Sequence, residues 1–212
     1  MNYVSVRRMA LRALFLSCTG MFSAMLQIAA QTRCDVPAEY RSMLSRDPSA
    51  AVYEQLGREY ERRHQKACAV WAFEAALGLD PAFAPAHNQL GLLYLSDERL
   101  PEAERELEQA LSLQPAWAEA QNNLAIVYGK QGKNDLVESL LRKAVENSPG
   151  YVQAHVNLAM ILAGRGEFAP AEAEAETAFR LSPNDIPALN TLAMIRSRIG
   201  RPDDATDRKS VV

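Results

Sequence analysis

Apolar residues along this chain recur at three- and four-residue spacing in short blocks, the period of an amphipathic helix. The stretch APAHNQLGLLYLS from Ala84 is one such block, and PEAERELEQALSL from Pro101 is the next. Pro101 and the acidic residues behind it suit a helix N-terminus, and Pro115 ends the second block because proline breaks a helix interior. In later copies the break between blocks carries Gly132, Gly166 or Gly200, where a helix end favours positive φ. The pattern predicts paired helices throughout.

The pairs repeat. Pro81, Pro115, Pro149 and Pro183 stand 34 residues apart without insertion or deletion. At average proline usage, three further hits at a set spacing have a chance probability of about 0.0001. Leu56, Leu90, Leu124, Leu158 and Leu192 form a second column, followed directly by Gly57, Gly91, Ala125, Ala159 and Ala193. Ala76, Ala110, Ala144 and Ala178 form a third. Small residues let paired helices approach closely, and leucines fill the seam. Each pair leaves an apolar face that the next pair covers, so the chain reads as a stacked repeat array.

The first copy carries Tyr53, Leu56-Gly57, Tyr60, Ala69, Phe73, Ala76 and Pro81, and the second Leu90-Gly91, Tyr94, Ala103, Leu107, Ala110 and Pro115. With a period of 34, these residues make the chain resemble the tetratricopeptide repeat (TPR) family. The usual first-helix tryptophan is absent, its column reading Tyr53, His87, Gln121, His155 and Leu189. The resemblance implies an all-α superhelical solenoid of antiparallel helix pairs. Its expected parts are a lead-in at 31–49 with a capping helix from Pro37 to Arg46, repeats at 50–83, 84–117, 118–151 and 152–185, and an incomplete fifth repeat at 186–206.

In the family, first helices line a concave surface, and their second, fifth, sixth, ninth, twelfth and thirteenth positions commonly face ligand. On this chain the ninth column reads Arg58, Leu92, Ile126, Met160 and Met194, with Asn88, Asn122, Asn123, Asn157 and Asn190 alongside. An apolar stripe flanked by amides suits a peptide, because carboxamides donate to and accept from a ligand backbone. Ordinary helix packing explains the same stripe equally well. Phe83, Trp117 and Tyr151, just behind the prolines, read as wedges between repeats. The subtype that holds the C-terminal carboxylate of chaperones uses a lysine and two asparagines, then a lysine and an arginine, where this chain has Glu54, Arg58 and Gln89, then Glu119 and Asn123, so the cations it needs are missing. That subtype is rejected.

Outside the repeats, Arg7, Arg8 and Arg12 precede an uncharged run from Ala13 to Thr32. This reads as an export leader, residues 1–30, cut after Ala30, with an uncleaved membrane anchor over residues 13–32 as the alternative. Cleavage takes away three arginines and no acid, moving the formal net charge from −3 to −6. An acidic chain without a basic cluster argues against nucleic acid as a partner. Cys34 and Cys68 could join in a disulfide, but spacing alone does not show that the sulfurs meet, and unpaired thiols are the favoured reading. The tail DRKSVV, residues 207–212, breaks the repeat in mid-helix and matches a translated sequencing adapter, so it reads as non-native, with the natural chain expected to continue beyond Thr206.

Little else points to chemistry. His87 and His155 share a column two repeats apart, about 20 Å at 8–10 Å per helix layer, too far to share one zinc. Both read as seam-filling residues. Glu172, Glu174 and Glu176 read as a solvated face. No phosphate loop, nucleophile motif or cysteine quartet is present in the sequence. The expectation is therefore a non-catalytic protein- or peptide-binding scaffold without cofactor or metal. It would touch membrane only through an uncleaved leader, and an uncapped C-terminal end could self-associate. The alternatives are the docking arm of a larger enzyme, or a structural spacer.

Overall fold

The structure, a computed structural model, describes residues 34–200. The leader, the end of the incomplete fifth repeat and the DRKSVV tail lie outside the described residues. Within them the chain is all-helical, with ten helices and no strand. They are α1 (Ala38–Arg46), α2 (Ala50–Arg62), α3 (Lys66–Leu79), α4 (Ala84–Ser96) and α5 (Leu100–Leu113), then α6 (Ala118–Lys130), α7 (Asn134–Asn147), α8 (Val152–Gly164), α9 (Phe168–Leu181) and α10 (Ile186–Ile199). The sequence blocks become helices as the periodicity predicts. None of the described helices is long and apolar enough to cross a membrane. The chain divides into two compact units between Ala86 and His87.

In the first unit, α2 packs on α3 and α1 packs on α2. Tyr53, Leu56, Tyr60, Ala69, Phe73 and Ala76 are almost completely buried. The Trp71 ring stands edge-on to Tyr53 and Tyr60, with centroids 5.9 and 6.5 Å away. Gly57 makes the close approach possible, since a Cβ there would lie 2.5 Å from Phe73 Cε1. The capping helix expected after Pro37 is α1, with Pro37 at its N-cap position.

Cys34 and Cys68 are disulfide-bonded, with Cα atoms 5.5 Å apart, so the unpaired thiols favoured from spacing are corrected. The two cysteines are separated by 34 residues and thus occupy one repeat column. Equivalent columns on neighbouring packed helices would lie about 8–10 Å apart, beyond the usual disulfide span of about 4.4–6.8 Å. Residues 34–37 are not helical, and this departure from the repeat brings Cys34 within reach.

In the second unit, α6 packs on α7, α8 on α9, and α10 on both α8 and α9. Leu107, Leu141, Leu158 and Leu162 fill the seams, and Ala110, Ala144 and Ala178 are fully buried. Tyr151 packs with Ala118, Ala144 and Ala154, the wedge its position predicts. A Cβ on Gly91 would stand 2.6 Å from Leu107 Cγ, so the second pair repeats the close approach of the first.

The turns between paired helices share one backbone conformation. His64 and Glu98 have φ 58°, Gly132 76° and Gly166 81°. Glycine adopts this left-handed region at no steric cost, whereas His64 and Glu98 carry a Cβ into it. Gly200 departs from the expectation, with φ −74°.

Candidate functional site

Three side-chain systems recur in register in the second unit. The first is the absent-tryptophan column. His87 Nδ1 lies 2.8 Å from Glu106 Oε2, and His155 Nδ1 lies 2.6 Å from Glu174 Oε2. His155 Nε2 also donates to Pro149 O at 2.9 Å, and Gln121 Nε2 donates to Pro115 O at 2.7 Å. At Gln121 and His155 the column therefore supplies a donor to the carbonyl of the repeating proline. The hydrogen bond from His87 holds the Glu106 carboxyl below its ordinary range. Both imidazoles are buried seam residues, as the sequence suggests.

The second system is a column of carboxylates on second helices. Glu104 accepts from Lys133 Nζ and Gln131 Nε2, each at 2.7 Å. Glu138 pairs with Arg165 and also with Arg142, and Glu172 accepts from Arg196 Nε at 2.8 Å. These acids lie 34 residues apart and tie each second helix to the end of the next first helix. The run Glu172–Glu174–Glu176 is consequently not a simple solvated face. Glu172 and Glu176 clasp Arg196 while Glu174 turns inward to His155.

The third system lies on the first helices, where the ligand-facing residues are expected. Its amides are mostly spent on one another. Asn123 Nδ2 donates to Asn88 Oδ1 at 3.1 Å, and Asn88 Nδ2 donates to Glu119 Oε1 at 3.3 Å. Asn157 Nδ2 donates to Asn122 Oδ1 at 2.7 Å, and its Oδ1 accepts from Gln153 at 3.4 Å. Asn88 and Asn122 are 0% and 1% exposed and Asn123 is buried. The expectation that Asn88, Asn122 and Asn123 offer amides freely to a ligand is thereby corrected, because inter-helix hydrogen bonds satisfy buried polar groups that would otherwise be costly. Asn157 is half-buried and Asn190 exposed.

The apolar stripe is available. Leu92 and Ile126 are half-buried, and Met160 and Met194 are 50% and 38% exposed. Their columns run alongside the bonded asparagines, so the carboxamide pairs fix the spacing of the helices that carry the stripe. Methionine is flexible and polarisable, which suits an adaptable binding surface.

In the first unit the equivalent face is polar. Arg58 is exposed and pairs with Glu54. With Gln55, Glu61 and Arg62 of α2 and Tyr40 of α1 it lines a cavity of about 460 Å³. Burial pushes the Glu61 carboxyl up, with nearby Arg58 opposing the rise. The reading of Arg58 as a ligand-facing residue left out Tyr40, which comes from the lead-in and lies in no repeat column.

A family model described as Tetratricopeptide repeat matches residues 54–120, 88–136 and 122–186. No curated protein sequence matches the chain significantly. Among solved structures, the chain is similar to YrrB, described as a TPR protein with an unusual peptide-binding site. The TM-score is 0.62 at 20% identity over 82% of this chain and 89% of that one. Similarity to the APC/C hetero-tetramer Cut9–Hcn1 has a TM-score of 0.62 at 19% identity, covering 69% of this chain and 30% of that one. The first TPR of Spaghetti (RPAP3), bound to the HSP90 peptide SRMEEVD, gives 0.52 at 21% identity over 55% of this chain and 93% of that one. At these identities the likeness is one of fold.

Proposed function

The chain belongs to the tetratricopeptide repeat family, and we propose that it is a non-catalytic scaffold that holds a protein or peptide along its first helices. The observation that carries this reading is the exposed stripe. Met160 and Met194 stay open on first helices whose seam leucines, Leu158 and Leu192, are buried. A packing role would have buried them. The likeness to YrrB and to the Spaghetti domain supports a peptide as the kind of ligand.

An acidic peptide is not the expected guest. Glu54 is nearly buried on its pairing with Arg58, and Glu119 is tied to Asn88, so carboxylates stand where an acidic ligand needs cations. The expected ligand presents apolar side chains to Leu92, Ile126, Met160 and Met194. Export through the leader is part of the proposal, supported by the Cys34–Cys68 bond, since disulfides persist in oxidising compartments.

A photo-cross-linking residue placed at Met160 tests the binding surface against one at Leu136. Met160 and Leu136 are almost equally exposed, at 50% and 47%, but Leu136 lies on a second helix. Cross-links formed from Met160 and not from Leu136 support the reading. Equal capture from both positions, or capture from Leu136 alone, sinks it.

A further inference from the structure

Residues 34–46 differ from the rest of the first unit in how they are held. The helix α1 spans nine residues, and Leu44 is its one fully buried side chain. Isolated helices of that length do not hold in water. Among the described residues, the hydrogen bonds and the ion pair of residues 35–47 stay inside the segment. Arg41 Nε donates to Val36 O at 2.7 Å, its guanidinium stands 3.6 Å from Asp35, and Ser45 donates to Ser42 O at 2.9 Å. The apolar attachment to the helix pair behind it comes from Val36, Leu44 and the half-buried Tyr40 and Met43, beside the covalent bond from Cys34 to Cys68 of α3.

This segment also reaches the ligand-facing side. Tyr40 forms one wall of the cavity whose other walls, Gln55, Arg58, Glu61 and Arg62, are all on α2. Those α2 residues occupy the sixth, ninth, twelfth and thirteenth positions of their first helix. A side chain from outside the repeat thus lies over the first-helix face of the first unit.

We propose that residues 34–46 are a redox-released strap: the Cys34–Cys68 bond holds α1 with Tyr40 against the ligand-facing side of α2, and reduction frees it. A dithiol reductant supplies two electrons and two protons, breaks the Sγ–Sγ bond, leaves two thiols on the chain and becomes a disulfide itself. Both sulfurs belong to residues only 8% exposed, so the bond yields slowly to reagent in the native state. Once broken, the segment keeps too little apolar contact to stay ordered, and the α2 side of the cavity opens. The strap does not depend on the binding reading of the second unit.

The test is amide hydrogen exchange on the full chain in three states: oxidised, reduced with excess dithiothreitol, and as the variant Cys34→Ala/Cys68→Ala. The variant removes the question of reagent access. Exchange over residues 38–46 is expected to accelerate at least tenfold in the reduced protein and the variant, while α2, α3 and residues 87–199 hold their protection. Exchange over 38–46 that stays within twofold of the oxidised protein overturns the proposal. So does a matching loss of protection in α2 and α3, because the bond would then staple the whole unit rather than hold a strap.

Discussion

Gly57 and Phe73 are matched in size: a Cβ at Gly57 would stand 2.5 Å from Cε1 of the Phe73 ring. The ring is fully buried, so an added methyl group must displace it. Gly57→Ala should therefore destabilise the first unit by about 1–3 kcal/mol, the usual cost of overpacking a core. The third pair carries Ala125 against Leu141 in the same columns. Phe73→Leu in the Gly57→Ala background should then recover part of the loss. Urea unfolding of the four proteins of this cycle measures the coupling, and strictly additive effects would contradict the contact.

The turn column gives a prediction of opposite sign. His64 holds φ 58°, where a Cβ costs about 1–2 kcal/mol, partly offset by the backbone entropy that glycine loses on folding. His64→Gly should stabilise the protein by roughly 0.5–1 kcal/mol. Gly132→Ala, at φ 76°, should destabilise it by about 1 kcal/mol. Thermal melts decide both, and a lowered Tm for His64→Gly would refute the strain argument.

His155 bridges Glu174 and the Pro149 carbonyl, and Gln121 already serves the equivalent carbonyl with a carboxamide. His155→Gln should keep that hydrogen bond and cost less than about 1 kcal/mol. His155→Ala leaves a cavity and two unpaired acceptors, at about 2–4 kcal/mol. Chemical denaturation measures both, and equal losses would mean that the glutamine carboxamide does not replace the ring's hydrogen bond to the Pro149 carbonyl.

Acid should loosen the second unit through its paired carboxylates. Hydrogen bonds from Lys133 to Glu104 and from His87 to Glu106 lower both carboxyls in the folded state. The unfolded chain then binds more protons as pH drops. The contribution is fully present above the ordinary carboxylate value of about 4.3 and is lost as pH falls through the depressed folded values. Stability measured from pH 5 down to pH 3 should decline less steeply in Glu104→Gln/Glu106→Gln than in the parent. An identical slope would remove these two acids from the account.

How much of this was legible before the structure follows from where each signal lies. Proline, leucine and small-residue columns obey a period of 34, and that period dictates the helix pairs, so the fold was readable. The carboxamide pairs were not read, although a trace exists: Asn88 to Asn123 and Asn122 to Asn157 are both separated by 35 residues. A one-residue offset from the period joins neighbouring columns on adjacent helices. Sequence places an asparagine on a face but does not say whether its amide meets a ligand or another amide. The spacing of 19 from His87 to Glu106 and from His155 to Glu174 was likewise present and unread. Cys34 and Cys68 keep the period of 34, but the period alone sets their columns a helix layer apart, and the bond forms because residues 34–37 abandon the helical geometry.

The stripe is the centre of the account, and Leu92→Glu/Ile126→Glu tests it most directly. Both side chains are half-buried on first helices, so each glutamate puts charge into the surface without entering the leucine seams. Lys143→Glu, on an exposed second-helix position, serves as the charge control. With a peptide recovered by display selection on the full chain, the double variant should bind at least tenfold more weakly than the parent, with the helical circular dichroism signal intact. The control should bind within twofold of the parent. An unchanged Kd in a folded double variant would contradict the binding surface proposed for these helices.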